Sequence, residues 1–433
     1  MAHWFHRNPI KATENVNFDL KSILSGPTSR KICNELRSRR ERLVEFFRNA
    51  SCDMAEVDEE FRLYLSAFSG FLVPIGNVGG EDVGSKLAPV ISFKWTNSML
   101  GSTAFKVSDS WFEAANMCVN MALWLAKHAA WTAGKDEVRE GEAKRVHTAL
   151  RRAAGMFIFF FLLSREILRE SSIILPKFLV TDLATIRGSD FDPSVLNAYI
   201  NQCTAEAQEV TVARAIELKH RPALISALAH ETSAVFLKAD KSLERLDQNV
   251  FGKWRWYLQL KAQVYLAYAY AFFGESLLAE DKCGEAVRAC REGLSCFEIA
   301  KNFSAMYMKS QGPGTPAKPA THLFFRRVEP LLKRHLEKAE RENGFIYHQK
   351  VPDDCPSLEE KATFGLAQPE PFSLPSPSPD WSESVYASFD LSKASMPDFS
   401  KIKKCNKDLP LVKEEKLYQT EKDQDNRSGC TIS

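Results

Sequence analysis

Apolar side chains recur every three to four positions through most of the first 351 residues. The stripe of Ile32, Leu36, Leu43 and Phe47 predicts one long amphipathic helix over residues 29–50. The same period predicts further helices at 109–133, 135–168, 192–220, 223–246, 253–279, 284–309 and 321–343. The helix at 253–279 is so rich in apolar and aromatic residues that we expect it to be buried on several sides.

Residue types at the helix starts support these boundaries. Ser108 can cap the helix at 109–133, and proline suits a first turn, as in Asp192-Pro193 and at Pro222. Strand signals are sparse: residues 71–75 and 89–93 are short candidates, and the first twenty residues can pair with another segment. We therefore predict an all-α antiparallel helical solenoid or bundle with minor β structure near its N-terminal part.

One helical pair has roughly the spacing of a tetratricopeptide repeat, in which small residues let two antiparallel helices touch. The match is partial, since Gly293 stands where alanine is usual and no second clear copy follows. Stacked pairs of this kind give a concave surface suited to holding a peptide. The residues of the pair are Tyr270, Phe273, Gly274, Leu277, Ala286, Cys290 and Gly293.

The last 82 residues differ in kind, because they hold nine of the twenty prolines. Residues 369–379 favour an extended arm pinned to the domain over a ligand for a proline-reading domain. Trp381, Val385 and Phe389 are four apart, which favours a short amphipathic helix that packs back on the domain over a partner-binding peptide. We place one domain at 1–391, with the arm at 352–391, and a disordered tail at 392–433.

Composition favours a globular protein that does not depend on nucleic-acid phosphates. The hydrophobic fraction of 45% allows a sizeable core, and 57 Lys and Arg against 55 Asp and Glu leave a net charge of +2. The longest uncharged apolar runs, 153–163 and 264–274, are well short of the roughly 20 residues that a spanning helix needs. Without a secretory signal, the cysteines are expected to be reduced thiols in a cytoplasmic protein.

No catalytic constellation emerges, so we do not predict an enzyme. The glycines at 76–84 lack the lysine of a phosphate cradle, and His230-Glu231 falls in the middle of a helix. Cys283, Cys290 and Cys296 lie near helical spacing without a nearby histidine, which favours core packing over zinc. We predict no metal site and no cofactor.

A basic cluster lies on the first helix, and two interpretations remain open for it. A solvated helix face is favoured, and contact with anionic lipid headgroups is the alternative. The cluster consists of Arg37, Arg39, Arg40 and Arg42.

The chain ends in Cys430-Thr431-Ile432-Ser433, a C-a-a-X pattern in which serine at the last position favours farnesyl. Thr431 is not aliphatic, which weakens the match, whereas Ile432 fits the more demanding position. One lipid chain gives only marginal membrane residence and needs a second signal. A weak one is offered by the basic residues Lys401, Lys403, Lys404 and Lys407.

Several segments are distinctive: 202–209 (QCTAEAQE), 215–229, 344–352 (GFIYHQKVP), 3–9 (HWFHRNP) and 93–96 (FKWT). They resemble the BRO domain of ALIX-type proteins, and the ending narrows the resemblance to members with a CaaX box. The resemblance implies an α-helical boomerang with a tetratricopeptide-like core and a small β-sheet. It also implies a concave apolar groove that binds C-terminal amphipathic helices of ESCRT-III subunits, the charged multivesicular body proteins.

The resemblance assigns groove positions to five residues. Leu224 and Leu228 are four apart and share one helix face, whereas Thr211 falls where the family carries an aromatic. Phe364 stands where a tyrosine is usual, and Leu366 is retained. Core packing is the alternative for the four apolar residues.

The sequence thus indicates a non-enzymatic, farnesylated ESCRT adaptor, peripheral on endosomal membranes or the nuclear envelope, acting in membrane remodelling, sorting or nuclear-envelope repair. The alternative is a prenylated scaffold for a cytoskeletal or nuclear-envelope linker protein. The segment 156–163 (MFIFFFLL) departs from the family in bulk and length, and some of its side chains need a cover.

Overall fold

The computed structural model describes residues 3–76, 84–135, 138–166, 186–358, 362 and 364–395. They form two compact units. The first contains the N-terminal residues up to Pro9, Met121–Arg165 and Ile186–Phe372, and the second contains Ile10–Asn120 and the described residues from Ser373 onward. No helix within the described ranges combines the length and the apolar character that crossing a bilayer requires.

Helices dominate the described chain, as the apolar period predicted. Two antiparallel strands, β1 (Phe93–Thr96) and β2 (Ala104–Val107), form a small sheet in which Phe93 faces Val107. The all-α class with a small sheet is confirmed. The helices are α1 (Pro27–Arg48), α2 (Met54–Leu72), α3 (Ser110–Ala133), α4 (Glu140–Glu166), α5 (Pro193–Glu217), α6 (Pro222–Leu243), α7 (Gln248–Ala279), α8 (Cys283–Lys309), α9 (Leu323–Arg326), α10 (Val328–Glu342) and α11 (Glu383–Ala387).

The prediction for residues 71–75 was wrong, because Phe71 and Leu72 are the last residues of helix α2. The side chain of Asp53 caps this helix by accepting hydrogen bonds from the backbone N–H groups of Ala55 and Glu56. The other predicted strand, 89–93, overlaps the start of β1 by one residue. The expected pairing of the N-terminal residues is confirmed by a bridge between Thr13 and Trp95.

In the first unit, helices α5 to α8 each contact the next one along the chain, and α10 contacts both α7 and α8. Small residues bring α7 and α8 close together: a Cβ at Gly274 would lie 2.6 Å from Cys290 Sγ, and one at Gly293 would lie 3.1 Å from Tyr270 Cβ. These pairings run in opposite directions along the two helices, so the predicted antiparallel pair is confirmed. Cys283, Cys290 and Cys296 are buried, as core packing requires.

The N-terminal segment of the first unit is buried and binds α5 through charged groups. The Arg7 guanidinium forms an ion pair with Glu206 at 2.7 Å, and Tyr257 Oη donates to the same carboxylate at 2.6 Å. Lys261 pairs with Glu209 at 2.9 Å, and both side chains are fully buried. The Arg7–Glu206 ion pair therefore joins two segments, 3–9 and 202–209, on which the resemblance to the BRO domain rests.

In the second unit, the basic cluster of α1 is neutralised by acids. Arg40 is 1% exposed, and its Nε lies 2.7 Å from Glu113 Oε1, so the prediction of a solvated face was wrong for it. Trp95 Nε1 and Tyr64 Oη donate to the same carboxylate. The other three arginines also have acidic partners: Arg37 pairs with Glu41, Arg39 with Glu35 and Glu60, and Arg42 with Glu60.

Residues after the proline run pack on the second unit. Trp381 and Phe389 are buried against Phe71, with ring centroids 6.1 and 6.0 Å away. Helix α11 between them has only five residues, and its buried side chain is Tyr386 rather than Val385. The prediction that Trp381 and Phe389 pack back on the domain is confirmed.

Within the first unit, the apolar segment at the end of α4 is largely covered. Met156, Phe157 and Phe160 are buried, and the Phe372 ring packs edge-on against Phe159 at 5.3 Å. Leu162 remains 53% exposed. The predicted end of this helix at residue 168 lies outside the described residues.

Candidate functional site

An apolar groove of about 620 Å³ lies in the first unit. The first turns of α4, the second half of α5 and the start of α6 form its walls, and the segment around Phe364 borders it. Thr211, Leu224, Leu228 and Phe364, four of the five predicted residues, line this groove. The fifth, Leu366, is half-buried and is not among the lining residues.

A short connection between α5 and α6 positions Leu224 and Leu228, which form the apolar floor of the groove. Helix α5 ends at Glu217, Lys219 has a positive φ of 54°, and Pro222 opens α6. Leu224 and Leu228 then lie one turn apart on α6 and face the groove, where Leu228 is 2% exposed. Leu218, just before the connection, is 53% exposed and also lines the groove.

Gln208 of α5 holds the segment after Phe364 against the groove. Its side-chain nitrogen donates to the carbonyl oxygen of Gly365 at 3.0 Å, and its side-chain oxygen accepts from the N–H of Ala367. Gly365 has a φ of +78°, and a Cβ there would lie 3.5 Å from a methyl group of Leu228. The ring of Phe364 is 59% exposed and is thus available for contact.

Charged groups on the groove wall pair with one another. Glu140 binds Lys144 at 3.1 Å and Arg214 at 3.6 Å, and Arg214 also reaches Glu217 at 3.6 Å. Burial and the charge of Arg151 lower the pKa of His147, which favours its neutral form. The groove therefore presents an apolar surface with locally balanced charge.

Two groove features were missed by sequence reasoning. Leu218 lines one wall. It lies within the predicted helix 192–220 and the distinctive segment 215–229, but nothing in the pattern assigned it to the groove. Gln208 belongs to the stretch 202–209, and the density of polar residues in that stretch was the available signal.

A comparison with family models shows that the BRO1-like domain matches residues 81–399. The chain is 56% identical over 440 residues to the "BRO1 domain-containing protein BROX homolog" of Caenorhabditis elegans, with 100% of both chains covered. This chain belongs to the BRO1-like domain family. The resemblance inferred from the sequence is thereby confirmed.

More distant BRO1 proteins share less of the chain. The human "BRO1 domain-containing protein BROX" is 45% identical over 393 residues, which are 91% of this chain and 92% of the relative. The "Vacuolar protein-sorting protein BRO1" of Gibberella zeae is 25% identical over 319 residues, 72% of this chain and 29% of that protein.

Solved BRO1 structures share the fold. The structure titled "ALIX BRO1 CHMP4C complex" has a TM-score of 0.65 at 18% identity and covers 88% of this chain and 99% of its own. The structure titled "Structure basis for endosomal targeting by the Bro1 domain" has a TM-score of 0.64 at 19% identity, with 91% and 97% covered.

The groove lining is mainly apolar, and a buried charged side chain of the first unit lies away from it. Burial lowers the pKa of Lys261, but its side chain is 0% exposed and lines neither the groove nor the neighbouring cavity. Across the described ranges, no group of three or more His, Cys, Asp and Glu side chains is placed to hold a metal ion. Cys430 and the CaaX positions Thr431, Ile432 and Ser433 lie outside the described residues.

Proposed function

We propose that this chain is an ESCRT-associated adaptor that binds the C-terminal amphipathic helix of an ESCRT-III subunit in its groove. The observation that supports the proposal is the apolar floor formed by Leu224 and Leu228. The exposed side chains of Phe364 and Leu218 border this floor. An amphipathic helix presents apolar anchors at i, i+3, i+4 and i+7, which fill pockets of this shape and leave the polar face in water.

The names of related proteins support this choice of partner. A solved ALIX BRO1 domain that shares the fold is titled as a complex with CHMP4C, and fungal relatives are named vacuolar protein-sorting proteins. Balanced charge around the groove suits a partner that is held mainly by apolar burial, at roughly 25 cal/mol for each Å² removed from water.

We also propose that Cys430 is farnesylated and that the lipid places the groove on a cytoplasmic membrane surface, endosomal or nuclear. The sequence Cys430-Thr431-Ile432-Ser433 supports the modification. Because one prenyl chain binds membranes only marginally, Lys401, Lys403, Lys404 and Lys407 or the bound partner must supply the remaining affinity.

The groove is tested with a fluorescein-labelled peptide of the CHMP4C C-terminal helix and the full chain, by fluorescence anisotropy. Leu228→Asp is expected to weaken binding roughly 100-fold, about 2.7 kcal/mol, because it puts a charge into a desolvated pocket. Leu218→Asp changes an exposed residue and is expected to weaken binding about 10-fold without affecting folding.

Leu237→Asp is the matched control, since Leu237 is a 45% exposed leucine of the same helix α6 outside the groove. It should bind the peptide like the unmodified chain. If Leu218→Asp and Leu228→Asp both keep their circular-dichroism spectrum and also keep full affinity, the groove is not the binding site.

A further inference from the structure

A second cavity of about 850 Å³ lies in the first unit beside the groove. We call it the basic pocket; α7, the end of α5, the start of α6 and the α9–α10 segment line it. Its floor is formed by buried rings, including those of Tyr268, Phe272 and Phe324. Tyr268 Oη donates to the carbonyl oxygen of Phe324 at 3.2 Å, so this hydroxyl group is already engaged within the protein.

Unpaired positive charge distinguishes the basic pocket from the groove. Four exposed cations line it, and no described acid forms an ion pair with any of them: Lys219, Arg326, Arg327 and Arg334. Glu275 is the single acid among the described lining residues, and it faces His335 at 3.8 Å. In the groove, by contrast, the acids Glu140 and Glu217 neutralise Lys144 and Arg214.

We propose that the basic pocket binds an acidic peptide segment of a partner protein, with an apolar or aromatic side chain on the aromatic floor and flanking carboxylates on the arginines. Arg327 is the residue just before α10 and has helical backbone angles, and Arg334 lies seven residues further along, so the two lie about two turns apart on one side of the helix. Guanidinium groups bind carboxylates in a bidentate manner, which suits two acids on either side of one anchor.

A peptide fits these observations better than a membrane surface. A flat bilayer cannot enter a concave pocket, and a phosphorylated headgroup has no apolar part for the floor formed by Tyr268, Phe272 and Phe324. An acidic peptide satisfies both the aromatic floor and the cationic rim. Its binding should therefore weaken steeply as salt is added, whereas binding in the charge-balanced groove should weaken little.

The probe is a displayed library of random twelve-residue peptides, selected on the full chain. We expect the enriched sequences to carry two or more Asp or Glu residues around one apolar or aromatic residue. Synthetic copies of the best sequence are then measured by anisotropy. The double variant Arg327→Glu with Arg334→Glu should lose at least tenfold in affinity, and Arg341→Glu, an exposed arginine of the same helix outside the pocket, should lose none.

Testing each variant with both peptides distinguishes binding in the basic pocket from binding in the groove. Leu228→Asp should leave binding of the selected peptide unchanged while it weakens CHMP4C peptide binding roughly 100-fold, and the arginine double variant should do the reverse. Failure of the groove experiment therefore leaves this inference standing. Enrichment without acidic residues, or a selected peptide that the double variant binds equally well, overturns it.

Two further experiments test whether a lipid headgroup or the chain's own tail occupies the basic pocket instead. If the double variant loses binding to phosphatidylserine-containing vesicles while no acidic peptide is enriched, a lipid headgroup is the ligand and the peptide proposal is wrong. If the full chain with Asp408→Asn, Glu414→Gln and Glu415→Gln binds the selected peptide more tightly, these acids of the chain's own C-terminal tail occupy the pocket, and a partner peptide is excluded as the resident ligand.

Discussion

His6 is a buried histidine whose surroundings oppose its protonation. Its side chain is 0% exposed, and its two ring nitrogens lie 2.9 Å from Tyr307 Oη and 3.0 Å from Asn8 Oδ1. Burial, together with the nearby charges of Lys253 and Arg7, lowers the pKa of His6 to about 3, although the Asn8 hydrogen bond acts in the opposite direction. The folded protein therefore keeps this ring neutral where an unfolded chain would protonate it.

Stability should fall in mild acid because of His6. Below its unfolded pKa of 6.5 the unfolded chain binds a proton that the folded chain rejects until about pH 3. The free energy of unfolding then drops by about 1.4 kcal/mol per pH unit, or about 2 kcal/mol at pH 5. Urea unfolding at pH 7 and pH 5 measures this loss. In the His6→Gln variant the free energy of unfolding should fall less between these two pH values, because one fewer group takes up a proton on unfolding. Identical slopes for the two proteins would rule out the assignment.

At the residue scale, the sequence predicted which residues share a helix face, but not which side chains form ion pairs with each other. Leu224 and Leu228 were placed on one face because a helical period fixes which residues share a side. The ion pair of Arg40 with Glu113 was not predictable, because it joins residues that are 73 positions apart. The binding roles of Thr211 and Phe364 stay predictions until the peptide experiments are done.

At the scale of one helix, two glycines of α4 should respond in opposite ways to a methyl group. A Cβ at Gly141 meets no atom within 4 Å, whereas one at Gly155 would collide with the carbonyl oxygen of Glu370, where the chain crosses the helix. Glu370 N donates to the carbonyl oxygen of Arg151 at 3.0 Å, so the crossing chain is fixed there. Gly155→Ala therefore has to displace the crossing chain or the helix.

Gly141→Ala is expected to stabilise the protein by up to about 1 kcal/mol, since alanine favours the helical backbone. Gly155→Ala should instead destabilise it by roughly 2 kcal/mol or more, a cost of steric overlap. Thermal unfolding followed by circular dichroism checks both changes. Equal stabilisation by the two substitutions would show that the chain at Glu370 does not lie against α4.

Helix α2 is an element that the apolar period of the sequence did not predict. The sequence carries the signals of its start, since Asp53 is followed three residues later by Glu56. Its last two turns, however, are so apolar that Phe71 and Leu72 resembled a short strand. Burial of Phe68, Phe71 and Leu72 on several sides removes the alternation of polar and apolar positions on which the distinction rests.

At the scale of the whole molecule, local pattern fixed the helices but not their long-range connections. His3, near the start of the chain, donates its backbone N–H to the carbonyl oxygen of Ala133, and the Arg7 side chain reaches Glu206. Only the family resemblance pointed to these segments in advance, because nothing in a helical period tells which distant segment covers a helix. The groove residues were also predicted from the resemblance to the BRO domain and not from the helical period.

Farnesylation of Cys430 changes the intact mass of the protein. If Cys430 is farnesylated, the protein purified from eukaryotic cells should show an intact mass that is larger by one farnesyl group and smaller by the residues Thr431, Ile432 and Ser433. Cys430→Ser should show the unmodified full-length mass, and it should also float less with membranes. Because a single lipid chain holds a protein only weakly, Leu218→Asp, which weakens partner binding, should reduce the flotation of the farnesylated protein as well. A wild-type mass without the modification would leave the partner as the sole route to the membrane, and the Cys430→Ser protein would then float like the wild type.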